Sequence, residues 1–158
     1  MREPFDQSKV GLPPVPAEWN GMTSRIIEAG MEVHTERGPG LLEGVYEDAL
    51  CHEFTLRGIG YQQQLSFPIT YKGKDLRQQR CDLLVEGLVV VELKSTNGVD
   101  EKHLNTMLGY MRGLDVPLGL LLNFHNSHLR DGIHRRVNSR SSQFARIRSG
   151  AMTQDSSS

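Results

Sequence analysis

Cysteine is scarce in this 158-residue chain. The two present, Cys51 and Cys81, lie far apart with no CxxC pair. That excludes a zinc ribbon and a disulfide scaffold, and leaves buried, reduced thiols as the expectation. Charge of one sign is also lacking. Lys and Arg number 18 against 19 Asp and Glu, a formal net charge of −1, so no global basic field recruits nucleic acid and any such site must be a local patch. No apolar run reaches the length of a membrane-spanning helix. Met1-Arg2-Glu3-Pro4 opens without the charged and apolar regions of a signal peptide, and a cytoplasmic protein is expected. What is present is a hydrophobic share of 37%, enough for one core and one domain.

Four of the seven prolines (Pro4, Pro13, Pro14, Pro16) stand in the first twenty residues. Leu12-Pro13-Pro14-Val15-Pro16 can neither continue a helix nor pair centrally in a sheet. Residues 1–21 are therefore expected to form a Pro-rich flexible arm. From Asn138 onward Ser, Arg and Gln dominate, and 138–158 are expected to be a disordered tail. Residues 22–137 are left as the folded body.

Within that body Thr23 suits an N-cap for a helix running to about Arg37. Gly38-Pro39-Gly40 breaks it, and Leu41–Arg57 reads as a second helix stopped by Gly58. The period then changes. Tyr61–Tyr71, Leu76–Val85 and Leu88–Leu93 read as strands joined by Lys72-Gly73 and Glu86-Gly87 turns. Asp100–Leu114 reads as a helix and Pro117–Asn123 as a short apolar strand. This order predicts an α/β or α+β domain around a mixed sheet.

The chemistry concentrates at Asp82, Glu92 and Lys94. Glu92 and Lys94 share one face of a strand whose Val89-Val90-Val91 marks it as central and buried. Charges there are expensive unless paired or bound to metal. A Glu–Lys pair on a half-exposed sheet is the bland account of an ExK. A strand-borne Asp ten residues earlier, across one hairpin, makes the combination more specific. Parity sets a condition. A two-residue Glu86-Gly87 loop puts Asp82 and Glu92 on opposite faces, whereas an odd loop such as Val85-Glu86-Gly87 puts them on one.

Gly40-Leu41-Leu42-Glu43-Gly44-Val45-Tyr46 resembles the motif of the GxxExxY proteins, members of the PD-(D/E)XK nuclease superfamily. The resemblance runs from about Thr23 to Val137. It takes in Val33-His34, Gly38-Pro39-Gly40, Tyr71-Lys72-Gly73, Asp82-Leu83-Leu84-Val85, Val91-Glu92-Leu93-Lys94 and Leu122-Asn123-Phe124. It implies a restriction-endonuclease-like core, a mixed central sheet flanked by helices. It further implies Asp82 and Glu92 as metal-binding acids, Glu43 as an upstream acid and Lys94 as the catalytic lysine. The cofactor would be Mg²⁺ or Mn²⁺ and the substrate DNA or RNA, cut by phosphodiester hydrolysis. Tyr46 would bond a carboxylate or the substrate, or simply pack on the sheet. Tyr110 matches the tyrosine that follows a glutamine in related nucleases, but Thr106 stands where that glutamine would fall. The rivals are a non-catalytic module that keeps the fold and binds protein or nucleic acid, and a buried structural ion network.

The remaining candidates carry plainer expectations. His34 caps carbonyls at a helix end. His125 and His128 lie on the surface, and Glu47 and Asp48 form the solvated side of the second helix. Six arginines between Arg130 and Arg148 face one acid, Asp131, in a solvated run able to meet phosphates. Only Phe144 offers an aromatic there, so base stacking has little support.

Overall fold

The computed structural model describes residues 15–148. Helix α1 spans Ala17–Arg37, entered from Pro16, whose carbonyl accepts the Trp19 and Asn20 amides. It begins seven residues before the start expected from a Thr23 cap. Thr23 lies inside it and back-bonds to the Asn20 carbonyl at 3.0 Å instead of capping. The cause is tertiary: Trp19, 4% exposed, meets Phe144 edge-on at 4.9 Å, which draws the preceding turn into the helix. Phe144 belongs to α4 (Ser142–Arg148), inside the stretch expected to be disordered. Asn138 is also buried there and bonds the Val116 carbonyl at 3.2 Å. The rest of the expected arm and tail, 1–14 and 149–158, lies outside the described residues.

Helix α2 (Glu43–Arg57) ends at Gly58 in the left-handed conformation. Then come β1 (Tyr61–Tyr71), β2 (Lys74–Val85), β3 (Val89–Lys94), α3 (Glu101–Leu114), β4 (Leu118–Asn123) and β5 (Ile133–Val137). Helix α3 starts at an Asp100 cap whose side chain accepts the His103 amide. The five strands form one mixed sheet in the order β1-β2-β3-β4-β5, with β3 and β4 parallel and the other neighbours antiparallel. With helices on both faces this is an α/β, restriction-endonuclease-like architecture, as expected. Strand β5 was not foreseen, because two arginines interrupt its apolar alternation; Arg135 is nonetheless 5% exposed.

Each face of the sheet has its own core. Ile26, Tyr46, Leu50 and Phe54 of α1 and α2 pack on Leu83, Val91, Leu93 and Leu120. Met107 and Met111 of α3 pack on Leu84, Val90 and Leu121. Strands β3 and β4, covered on both sides, are therefore almost wholly apolar. No helix among the described residues is long and apolar enough to cross a membrane.

The two hairpins obey different counts. Lys72-Gly73 is a two-residue turn with φ of 47° and 81°, the backbone a type I′ turn requires. The β2–β3 loop has three residues, Glu86-Gly87-Leu88, between the paired Val85 and Val89. Its odd length continues the register so that Asp82 stands across from Glu92.

Candidate active site at the splayed end of the central strands

The β2–β3 ladder runs through three pairs, Val85 with Val89, Leu84 with Val90 and Leu83 with Val91, and then stops. At the next position the carboxylates take over the bonding. The Asp82 amide donates to Glu92 Oε1 at 3.0 Å, and the Leu93 amide donates to Asp82 Oδ2 at 2.9 Å. Two backbone donors that a ladder would satisfy are thus satisfied by side chains, and the two acids are locked against each other.

Strand β1 is irregular at the same level. Tyr61 and Leu83 pack towards α1 and α2, yet Leu65, Phe67 and Cys81 pack towards α3, although strict alternation would unite them. The faces exchange at Gln64, whose φ of 51° is unusual for a residue with a side chain. As a result two successive glutamines reach one carboxylate. Gln63 and Gln64 each donate to Glu47 at 2.7 Å, and Gln64 also approaches Asp82 Oδ1 at 3.4 Å. Strained backbone of this kind collects at functional sites.

Glu47 is 8% exposed and faces this cluster, which corrects the expectation of a solvated residue; Asp48 remains exposed. The helical period contained the signal. Glu43, Glu47 and Leu50 follow one face at spacings of four and three, and Tyr46 and Leu50 mark that face as buried.

Glu43, half-buried, opens α2, where a carboxylate suits the helix dipole. Its position is set by the α1–α2 loop. The Tyr46 hydroxyl donates to the Gly38 carbonyl and accepts the Leu41 amide, its ring stacks on Phe124 at 4.5 Å, and Ser95 Oγ donates to the Leu41 carbonyl. Tyr46 is fully buried and its hydroxyl is engaged by this loop. Its hydroxyl bonds are to the Gly38 and Leu41 backbone and to no carboxylate, which is the packing alternative of the two expectations.

Burial, and then the neighbouring Asp82 charge, push the Glu92 carboxyl up to about 9. Burial also raises Glu43, against the pull of Lys94. Cys81, beside these acids, is pushed up to about 12 by burial and then by their charge, so it is an inert thiol. Lys94 follows Glu92 on the same strand face. With Glu92 it lines a cleft of about 290 Å³ whose other walls include His103, Thr106 and Tyr110 of α3. The described ion pairs, Arg57–Glu53 and His103–Asp100, do not include Lys94. Thr106 is exposed and its hydroxyl back-bonds to the Lys102 carbonyl at 2.9 Å. Tyr110 packs edge-on against Phe67, and burial raises its hydroxyl pKa.

The structure thus brings Asp82, Glu92, Glu47 and Gln64 together, with Glu43 and Lys94 at the rim. Of the histidines, His103 walls the cleft, whereas His34, His125 and His128 lie elsewhere. His34 bonds the Asn126 carbonyl at 2.8 Å and is a buried structural residue. Asp82, Glu92 and Glu43 offer hard oxygen donors, and a pair of abutting carboxylates of which one is forced to hold a proton suits a cation in the proton's place. Among the described residues, however, no three acid, histidine or cysteine side chains converge closely enough to hold a metal ion as they stand.

A family model described as the PD-(D/E)XK nuclease superfamily matches residues 20–136. No curated protein and no solved structure matches the chain.

Proposed function

Since the chain belongs to the PD-(D/E)XK nuclease superfamily, we propose that it is a metal-dependent nuclease that hydrolyses phosphodiester bonds of DNA or RNA. The finer kinship we propose is with the GxxExxY proteins, on Gly40 to Tyr46. The observation that carries the reading is the exchange at the end of β2 and β3, where Asp82 and Glu92 replace the ladder beside Lys94. A sheet built only for stability has no reason to set a half-buried Asp82 against a buried Glu92.

Asp82 and Glu92 would hold Mg²⁺ or Mn²⁺, with Glu43 joining directly or through water. When bound, the ion supplies Lewis acidity and a nucleophile at neutral pH. The protein's own groups do the rest. Lys94 orients the attacking water and offsets the charge that grows on the phosphoryl oxygens. Tyr110 and Thr106 wall the cleft in which a phosphate approaches Lys94. The Gln64 amide holds Glu47 and Asp82 in fixed relation, so their repulsion does not open the site. Two buried free thiols suit the cytoplasm as the working compartment.

A second reading, a non-catalytic module that retains the fold, draws on the lack of three converging acid, histidine or cysteine side chains among the described residues and on Thr106 at the glutamine position. Calorimetry with Mg²⁺ and Mn²⁺ separates the two. Binding by the wild type that is lost in Asp82→Ala and Glu92→Ala supports the nuclease. Equal binding in all three proteins, or none in any, overturns the metal site. A cleavage screen with Mn²⁺ over single- and double-stranded DNA and RNA then identifies the substrate.

A further inference from the structure

The β1–β2 hairpin is far longer than the sheet it belongs to. Strand β3 accompanies β2 only at Leu83–Val85, so beyond Asp82 the hairpin leaves the other strands and continues as a two-stranded ribbon. Its base is fixed. Phe67 meets the Tyr110 ring edge-on at 5.9 Å and lies so close to Gly113 that a Cβ there would stand 2.7 Å from it. Helix α3 therefore sets the direction in which the ribbon leaves the body. From residue 70 to residue 78 every residue is exposed, including Tyr71 at 60% and Leu76 at 48%.

The ribbon's charge differs from that of the whole chain. Between Leu65 and Cys81 stand Lys72, Lys74, Arg77 and Arg80, all exposed, against a single acid, Asp75, whose carboxylate accepts from Thr70. Arg80 begins the series two residues from Asp82. At about 3.3 Å per strand residue the series reaches some 26 Å from Asp82 to Lys74, about eight base pairs of duplex. Edge strands use lysine to discourage aggregation. That role accounts for one or two charges and for no particular ligand.

We propose that this ribbon is a docking arm for double-stranded DNA, holding the duplex about eight base pairs to one side of the site that Asp82 begins. The inference rests on the nuclease reading for its substrate class. Cations repeated along an extended ribbon match phosphates, whereas single strands are held on stacked aromatics and the exposed part of the arm has only Tyr71. A two-stranded ribbon exposed on both faces fits the wide major groove of B-DNA and not the narrow one of A-form RNA.

The test compares the wild-type chain with Lys72→Gln/Lys74→Gln/Arg77→Gln and with a charge-matched control at exposed positions away from the arm and the arginine run, Arg25→Gln/Arg37→Gln/Arg57→Gln. Fluorescence anisotropy with a 30-base-pair DNA duplex is measured in EDTA across a salt series. The arm variant should bind about ten- to a hundredfold more weakly and flatten the logarithmic salt slope by about 2.7, near 0.9 per lost contact, while the control keeps the wild-type slope. With Mn²⁺, the arm variant's loss in cleavage should appear in KM and not in kcat. The wild type's advantage should vanish on duplexes trimmed to fewer than about eight base pairs on the arm side. An unchanged slope, equal losses in both variants, or equal losses on duplex RNA or single-stranded DNA overturns the arm. So does a variant that aggregates yet binds as the wild type does. The two readings fail separately. Arm-dependent DNA binding by a protein that cleaves nothing removes the nuclease and keeps the arm, and cleavage indifferent to the three cations does the reverse.

Discussion

Strand β3 has two neighbours and treats them differently. On the β4 side all six of its residues pair in unbroken parallel register, Val89 with Leu118 through Lys94 with Asn123. On the β2 side the ladder ends after three pairs and carboxylates finish the bonding. The first border is apolar from Val89 to Val91 and anchors both cores of the sheet. The second gives up ladder bonds to keep two acids and a cleft together at one strand end. The continuous border and the candidate site thus lie on opposite edges of one six-residue strand, close enough to share residues.

The largest effect expected is on the β4 edge. Leu120 is fully buried, and Leu120→Ala should cost about 2–5 kcal/mol of stability through lost contacts and a residual cavity. Chemical denaturation measures it, and the specific activity of the folded fraction should hardly change. A variant that stays stable but loses activity would show that the two edges are not separable.

Lys94→Met probes the other edge. A group that acts on the transition state should take about a hundredfold from turnover, while the retained aliphatic stem keeps packing and melting temperature near the wild type. Were Lys94 the structural partner of buried Glu92, the same change would strand that charge and cost roughly 3–5 kcal/mol. Thermal melting and cleavage kinetics of this one variant decide, and a large fall in melting with unchanged kcat would end the catalytic assignment.

The fold was more legible than the site, for reasons visible in particular residues. Alternation in β1, the apolar runs Leu83-Leu84-Val85 and Val89-Val90-Val91, and well-marked Gly turns reveal β1 to β3. That signal fails in β5 and α4, where Arg135 and its neighbours interrupt Ile133, Val137 and Phe144, and where burial depends on contacts with α1 and β4 that no local window contains. Sequence singles out Asp82 and Glu92 and states the parity they need. Whether the loop holds two residues or three depends on Leu88 joining the turn, a matter of one residue's backbone. Glu47 reads as solvated because a charge on a helix ordinarily marks solvent, whereas here Gln63 and Gln64 supply its burial with partners. Gln64 itself gives no sequence signal, since nothing in a glutamine announces a positive φ.

Glu92 sharpens the comparison through pH. Its carboxyl, held at about 9 in place of the ordinary 4.5, keeps a proton in the metal-free folded chain that the unfolded chain releases. Stability should therefore fall as pH rises from about 4.5 to 9, with no penalty below that window and the full penalty above it. Glu92→Gln retains a carbonyl to accept the Asp82 amide and removes the titration. Without metal at pH 8 it should melt higher than the wild type by about 5 °C, and the difference should shrink by pH 5. Mg²⁺ or Mn²⁺ should raise the wild-type melting temperature and leave the variant's nearly unchanged. A wild type as stable at pH 8 as at pH 5 would mean that the two acids do not strain the splayed edge.

The smallest effect expected is at Thr106, on the helix that covers both borders. Its hydroxyl is turned back onto the Lys102 carbonyl, so it offers nothing to the cleft it lines with Glu92, Lys94 and Tyr110. A glutamine at this exposed position reaches further, with an amide that donates at one end and accepts at the other. Thr106→Gln should raise kcat by roughly threefold, well under 1 kcal/mol of barrier. Exchange of a β-branched residue for a better helix former should lift the melting temperature by about 1 °C. The two readouts have separate causes. A melting gain without a rate gain would mean that the cleft is already complete with threonine and that Tyr110 and Lys94 need no amide between them. A rate that falls would mean that the wall formed by α3 must stay low at this point for the substrate to enter.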